Sequence, residues 1–307
     1  MAVYEKFYGF RAAPFSTNPD PQFLFLSPRH REALVGLMYA VCDAKGVAVL
    51  VGEVGTGKTT IVHALLTQLG KRVRSALLFN PSLSRQDLYL HLLAEFGLPP
   101  ERSVLGSIRA LQRFLLEHFE AGVRVVVVID EAHAAAPDAL EEIRLLSNFE
   151  TSQSKLLQLL LVGQPELLER SAMRRLRQLR QRVALRFDLA PLQFQETIQY
   201  VRARLAVAGV RRDIFKPDAY VSLQRFSGGL PRGINILCDN ALLSGYARDE
   251  QHIGRKLISR AAHDLGLSPF SRVSLWARLR ARYHEPTDGH GLRGAAEIAL
   301  RPLQVCK

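Results

Sequence analysis

The sequence predicts an α/β fold: a parallel sheet flanked by helices, followed by a small all-helical domain. Three observations predict it. Apolar runs alternate with helical patterns from residue 47 to about residue 190. These runs are continuous and rich in valine and leucine, as expected of strands buried on both faces. From about residue 193 the strand signals stop and only helical patterns follow.

Taken in order, residues 1–30 form a lead segment that is aromatic and punctuated by proline, "FYGFRAAPFSTNPDPQFLFLSPRH". It reads as extended pieces and turns rather than helix. Residues 31–45 read as a helix with Leu34, Leu37, Met38 and Val41 on one stripe. The strand runs are 47–51, 75–79, 125–129, 156–162 and 183–192. Strands alternating with helices mean βαβ units, so the sheet domain covers 31–192. "QETIQYVRARLAVAG", "PDAYVSLQRFSG" and "LPRGINILCDNALLSGYARD" read as the helices of a second domain over 193–265. The basic tail, 266–307, reads as a short amphipathic helix or as disorder.

Composition narrows the function classes. The chain has 307 residues, 48% hydrophobic, and no apolar run approaches the ~18 residues of a bilayer span. The N-terminus carries no secretory leader pattern. Cys42, Cys238 and Cys306 form no metal or redox spacing, which fits a reducing cytoplasm. The net charge of +12 points to an anionic partner such as nucleic acid, acidic protein or lipid headgroups.

One motif carries the chemistry. Gly52-Glu53-Val54-Gly55-Thr56-Gly57-Lys58-Thr59 matches G-x-x-x-x-G-K-[ST], between a predicted strand and a predicted helix. Glycines let successive backbone N–H groups point at phosphates, and the following helix adds its positive end. Lys58 supplies a mobile cation for the terminal phosphates of ATP, and the Thr59 hydroxyl can ligate Mg²⁺. Thr60 completes the candidate cradle. A chance match in a chain of this length has a probability of about 1%.

The second half of such a site is an acidic pair ending another buried strand. "VRVVVVIDEAH" supplies Asp130 to hold Mg²⁺ and Glu131 to orient and polarise the attacking water. His133, which completes the D-E-A-H string, reads as structural. Gln164 ends a further buried run, at the sheet edge where ligands bind in open α/β folds, and is the candidate sensor of the γ-phosphate. Residues 170–186 hold seven arginines and no acidic residue. An arginine there can reach a neighbouring subunit's ATP as a finger; Arg177, Arg180 and Arg182 are the candidates, with Arg180 and Arg182 nearest the strand. In the helical domain, "SGGLPRGIN" places Arg232 at a helix start, where a mobile arginine can report loss of the γ-phosphate.

The order of these motifs, with "RLLSNFET", "LVGQPEL", "RQLRQRV" and "SGGLPRGINILCDNALL", resembles the AAA+ ATPases of the GspA/ExeA type over about 1–265. The lead segment shares the likeness. The resemblance implies a P-loop NTPase sheet with a helical lid, ATP and Mg²⁺ as ligands, and a homo-oligomer, ring or filament. It also implies an envelope protein partner in type II secretion, pilus or exosortase-type machinery. The TniB/TnsC transposition ATPases are similar in the core motifs and imply the alternative, sequence-independent grip on duplex DNA. A third reading is a nucleotide-dependent scaffold, against which Glu131 stands. Secretion members usually continue into a transmembrane helix and a peptidoglycan-binding domain. The sequence to Lys307 shows neither, so the expectation is a cytoplasmic protein. In 268–307 seven basic residues face three acidic ones, a net of +4. With Leu275, Trp276 and Leu279 as an apolar side, this tail can lie on the anionic face of the inner membrane.

Overall fold

Val47–Gly52 is buried at every position, and so is Leu157–Gly163. Two such strands demand neighbours on both edges and cover on both faces, and these set the architecture. The computed structural model describes residues 3–17, 20–70, 72–79, 83–152, 154–171 and 177–270. The tail with Leu275, Trp276 and Leu279 lies outside the described residues.

In chain order the elements are α1 (Glu5–Tyr8), α2 (Pro28–Cys42), β1 (Val47–Gly52), α3 (Lys58–Gln68) and β2 (Val73–Leu78). Next come α4 (Arg85–Glu95), α5 (Val104–Glu120), β3 (Arg124–Ile129) and α6 (Pro137–Leu146). β4 (Leu157–Gly163), α7 (Glu166–Ser171), α8 (Arg177–Arg182) and β5 (Val183–Leu189) complete the sheet region. α9 (Phe194–Val207), α10 (Pro217–Ser227), α11 (Pro231–Tyr246) and α12 (Arg255–Asp264) follow. The chain divides into two compact units: Pro28–Ala190, and a second that joins the residues up to Ser27 to those from Pro191 on.

In the first unit all five strands are parallel, in the order β2-β3-β4-β1-β5. The inner strands are apolar but for Arg124 at the start of β3 and one buried amide. Gln158 is buried in β4, where its Oε1 accepts the Gly46 N–H (2.7 Å) and its Nε2 donates to Lys155 O (3.2 Å). The amide thus serves backbone groups that the sheet leaves unpaired. The edge strands carry exposed polar residues: Arg74 and Ser75 in β2, and Arg186 in β5. Charged edges resist pairing with a stray strand. The apolar run 183–192 stops pairing at Leu189; Pro191 has no N–H, and the Leu192 N–H donates instead to Gly229 O (2.8 Å).

The second unit is helical, and the lead segment supplies part of its core. Tyr4, Tyr8, Phe10 and Phe15 are buried with Val201, Leu205, Phe215 and Leu237. Residues 5–8 form one helical turn where extended chain is expected from sequence. A turn this short does not form on propensity; it is held by the burial of Tyr4 and Tyr8 and closed by Gly9 in the left-handed region, φ 79°. Arg204 fastens the segment. Buried to 7% exposure, it donates through Nε to Pro14 O, through Nη2 to Ser16 O (3.1 Å) and through Nη1 to the Tyr200 hydroxyl (2.9 Å). Its guanidinium also lies 4.9 Å from the centre of the Phe23 ring.

An Arg204→Met substitution keeps the aliphatic volume and leaves both carbonyls without their donor. It is expected to lower unfolding stability by about 2–4 kcal/mol, measured by urea denaturation; an unchanged midpoint would remove the guanidinium from this role.

Candidate functional site

The phosphate-loop residues Gly52–Thr59 run from the end of β1 into α3. Close packing dictates their types. A Cβ on Gly52 would lie 2.8 Å from Leu189 O, and Gly57 caps α3 with φ 98°, a backbone that side-chain-bearing residues rarely adopt. Thr56 is fully buried and its hydroxyl donates to Glu53 O (2.9 Å), closing the loop. Val54 stands exposed at the loop's crest, and Thr60 is half-buried in the first turn of α3.

Lys58 Nζ donates to Gly52 O (2.8 Å) and Glu53 O (3.1 Å). The side chain is almost wholly buried, and that burial pushes its pKa down; Glu131, Asp130, Glu53 and Glu166 pull it partly back. Neutral carbonyls are weak partners for an ammonium, and a phosphate oxygen forms the stronger, charge-assisted bond. Burial also raises the Glu53 pKa, as does its neighbour Glu166.

The order β3-β4-β1 places the second motif beside the first. Asp130, 3% exposed, follows β3, and its Oδ2 accepts the Thr59 hydroxyl at 3.0 Å. Its Oδ1 accepts the Glu131 N–H (2.9 Å). A hydroxyl and a carboxylate in contact are the hard oxygen donors that Mg²⁺ takes. Among the described residues no group of three His, Cys, Asp or Glu could hold a metal by itself. The Thr59 hydroxyl and the Asp130 carboxylate are thus the pair that fits such a cation. Glu131 has φ 53°, a strained backbone for a glutamate, and its carboxylate is about half exposed.

Gln164 follows β4 and is drawn to the same edge. Its N–H donates to His133 Nδ1 (3.4 Å) and its carboxamide meets His133 Nε2 at 2.6 Å. His133 Nε2 in turn lies 3.4 Å from Glu131 Oε2.

The arginine candidates separate. Arg182 Nη1 donates to Ser147 O (3.1 Å) at the end of α6. Arg180 is exposed on α8. The side chain of Arg177 lies outside the described residues. Arg232 is exposed in the first turn of α11.

Sequence reasoning missed one residue of this site. His30, buried in the first turn of α2, places Nε2 2.8 Å from Thr56 O. Holding that carbonyl fixes the plane of the Thr56–Gly57 peptide, and so the direction of the Gly57 N–H. The available signal was a polar residue standing on the apolar stripe of α2 with Leu34, Leu37 and Val41.

A family model described as an AAA domain matches residues 42–171. General secretion pathway protein A of Aeromonas hydrophila is 45% identical over 265 residues, 86% of this chain and 48% of that protein. This chain is an AAA+ ATPase. It spans about half the length of the curated relative it matches. Among solved structures, the ORC2 protein of Aeropyrum pernix, with ADPNP and ADP, matches with a TM-score of 0.61 at 16% identity, covering 85% of this chain and 73% of that one. Cdc6p of Pyrobaculum aerophilum matches with a TM-score of 0.62 at 17% identity, covering 82% and 70%. These likenesses establish the AAA+ fold. No helix among the described residues is long and apolar enough to cross a membrane.

The lowered pKa of Lys58 means that the folded AAA+ ATPase holds this proton less tightly than the unfolded chain. The charged lysine therefore costs stability at every pH below its folded pKa, and the cost vanishes only above the unfolded range near ~10.4. Lys58→Met is expected to raise the melting temperature of the ATP-free protein at pH 7. It should also abolish the stabilisation that ATP confers. Scanning calorimetry with and without ATP reads both, and a lower melting temperature would refute the buried-charge account.

Proposed function

We propose that this AAA+ ATPase hydrolyses ATP to drive assembly of its own oligomer, and that it serves a secretion-type envelope machine with a protein partner. The likeness to general secretion pathway protein A over 86% of the chain carries this reading. Under it, the backbone N–H groups of Gly52–Thr60 and the Lys58 ammonium hold the phosphates. Thr59 and Asp130 hold Mg²⁺, which when bound offsets charge on the phosphate oxygens. Glu131 orients the attacking water and draws on its proton. Gln164 donates to the γ-phosphate. Arg180 acts across a subunit boundary, because Arg182 is engaged at Ser147 O. Arg232 senses the γ-phosphate from the helical unit, and the basic tail lies against the anionic face of the inner membrane.

The arginine-rich 170–186 and the +12 charge favour a second reading, a transposition-type regulator that grips duplex DNA without sequence preference. Steady-state ATP turnover with and without DNA at moderate salt separates the two. Indifference to DNA supports the secretion-type reading, and strong stimulation that fades with salt overturns it.

Glu131→Gln is expected to bind ATP while turnover falls by about a hundredfold or more; near-normal turnover would show another residue handling the water. Arg180→Ala should silence the oligomer to a similar degree. Mixing it with Lys58→Ala subunits should restore part of the rate, and no rescue at any ratio would exclude action in trans.

A further inference from the structure

The contact between Gln164 and His133 places two nitrogens 2.6 Å apart. One fixed donor resolves their roles. The Gln164 backbone N–H can only donate, and its acceptor is His133 Nδ1. The neutral ring must then carry its proton on Nε2. An Nε2–H needs an acceptor, so the carboxamide oxygen of Gln164, not its nitrogen, faces the ring. Carboxamide orientation is assigned from the network of bonds around it, and here the network decides it. The NH₂ group of Gln164 is thereby turned away from His133 and left to donate elsewhere.

The same Nε2–H has a second acceptor, Glu131 Oε2, at 3.4 Å. Three features keep the ring there. Glu131 turns the chain back through φ 53°, and the Ala134 N–H donates to Glu131 O (2.8 Å) to close that turn. A Cβ on Gly163 would lie 3.1 Å from the His133 backbone nitrogen, so the end of β4 packs directly against this residue.

We infer that His133 is a positioning residue that joins the γ-phosphate sensor to the water-orienting glutamate: its Nε2–H fixes Gln164 with the NH₂ outward and is shared with Glu131. A single proton cannot serve both acceptors fully. A shift of Gln164 toward a terminal phosphate oxygen strengthens the hydrogen bond to Glu131, and loss of that phosphate weakens it. Occupancy of the far end of the nucleotide is thus relayed to the group that handles the attacking water. This inference rests on the roles proposed above for Gln164 and Glu131.

Two measurements test it. Long-range ¹H–¹⁵N correlation of the histidine rings, with His133 assigned by its loss in His133→Leu, should show the Nε2–H tautomer; an Nδ1–H tautomer overturns the inference. In kinetics, His133→Leu should lower kcat about tenfold to a hundredfold, with KM and ATP binding within about twofold. His133→Gln, whose amide can present an N–H near the same place, should recover part of the rate. Combined with Gln164→Leu, the His133 change should add nothing further. Effects that multiply, or a His133→Leu enzyme with normal kcat, overturn the relay. If Glu131→Gln is silent while His133→Leu is normal, the relay alone fails. If Glu131→Gln still turns over, the underlying assignment fails.

Discussion

Parallel pairing of β1, β4 and β3 is the constraint on which the site depends. In a parallel ladder every strand ends on the same side, so whatever follows each strand is delivered to one edge. Val51 pairs with Gly163 and Leu161 with Ile129, which sets the three exits level with one another. Lys58 and Thr59 come from the first exit, Asp130 and Glu131 from the second, and Gln164 from the third. These groups are over a hundred residues apart in sequence at the extremes, and the backbone hydrogen bonds of the inner strands hold them in contact. The near-total burial of those strands makes the arrangement stiff, which a site for charge transfer needs.

That constraint also explains what the sequence makes legible. β1, β3 and β4 are legible to within about a residue because a strand buried on both faces has to be apolar at nearly every position. The edge strands are less sharp, since one side of each meets solvent, and the run at 183–192 loses its last residues to the partner that Leu192 finds in Gly229. The nucleotide loop is legible because its chemistry is local: eight consecutive residues carry it. Asp130 and Glu131 are legible because they end an apolar run.

The missing parts are those made by long-range contact. His30 meets Thr56 across 26 residues, and His133 meets Gln164 across 31. No spacing rule marks such a pair. The single helical turn at residues 5–8 escapes for the same reason, since its stability comes from burial against the helical unit rather than from its own residues. In each case the trace left in the sequence is a polar or aromatic residue where local pattern alone has no use for it. Gln158 inside β4 and Arg204 on the buried stripe of α9 are of the same kind.

The aromatic lead segment has a consequence for how the chain is made. Tyr4, Tyr8, Phe10 and Phe15 complete a core whose other members begin at Leu192 and extend to Ala262. During synthesis these four side chains leave the ribosome before the sheet unit and meet their partners only after that unit has emerged. Bringing ends so far apart together costs only a slowly rising loop entropy, yet it delays the contact. A sticky, unsatisfied aromatic segment is therefore exposed throughout translation of the sheet unit, the kind of surface that chaperones bind.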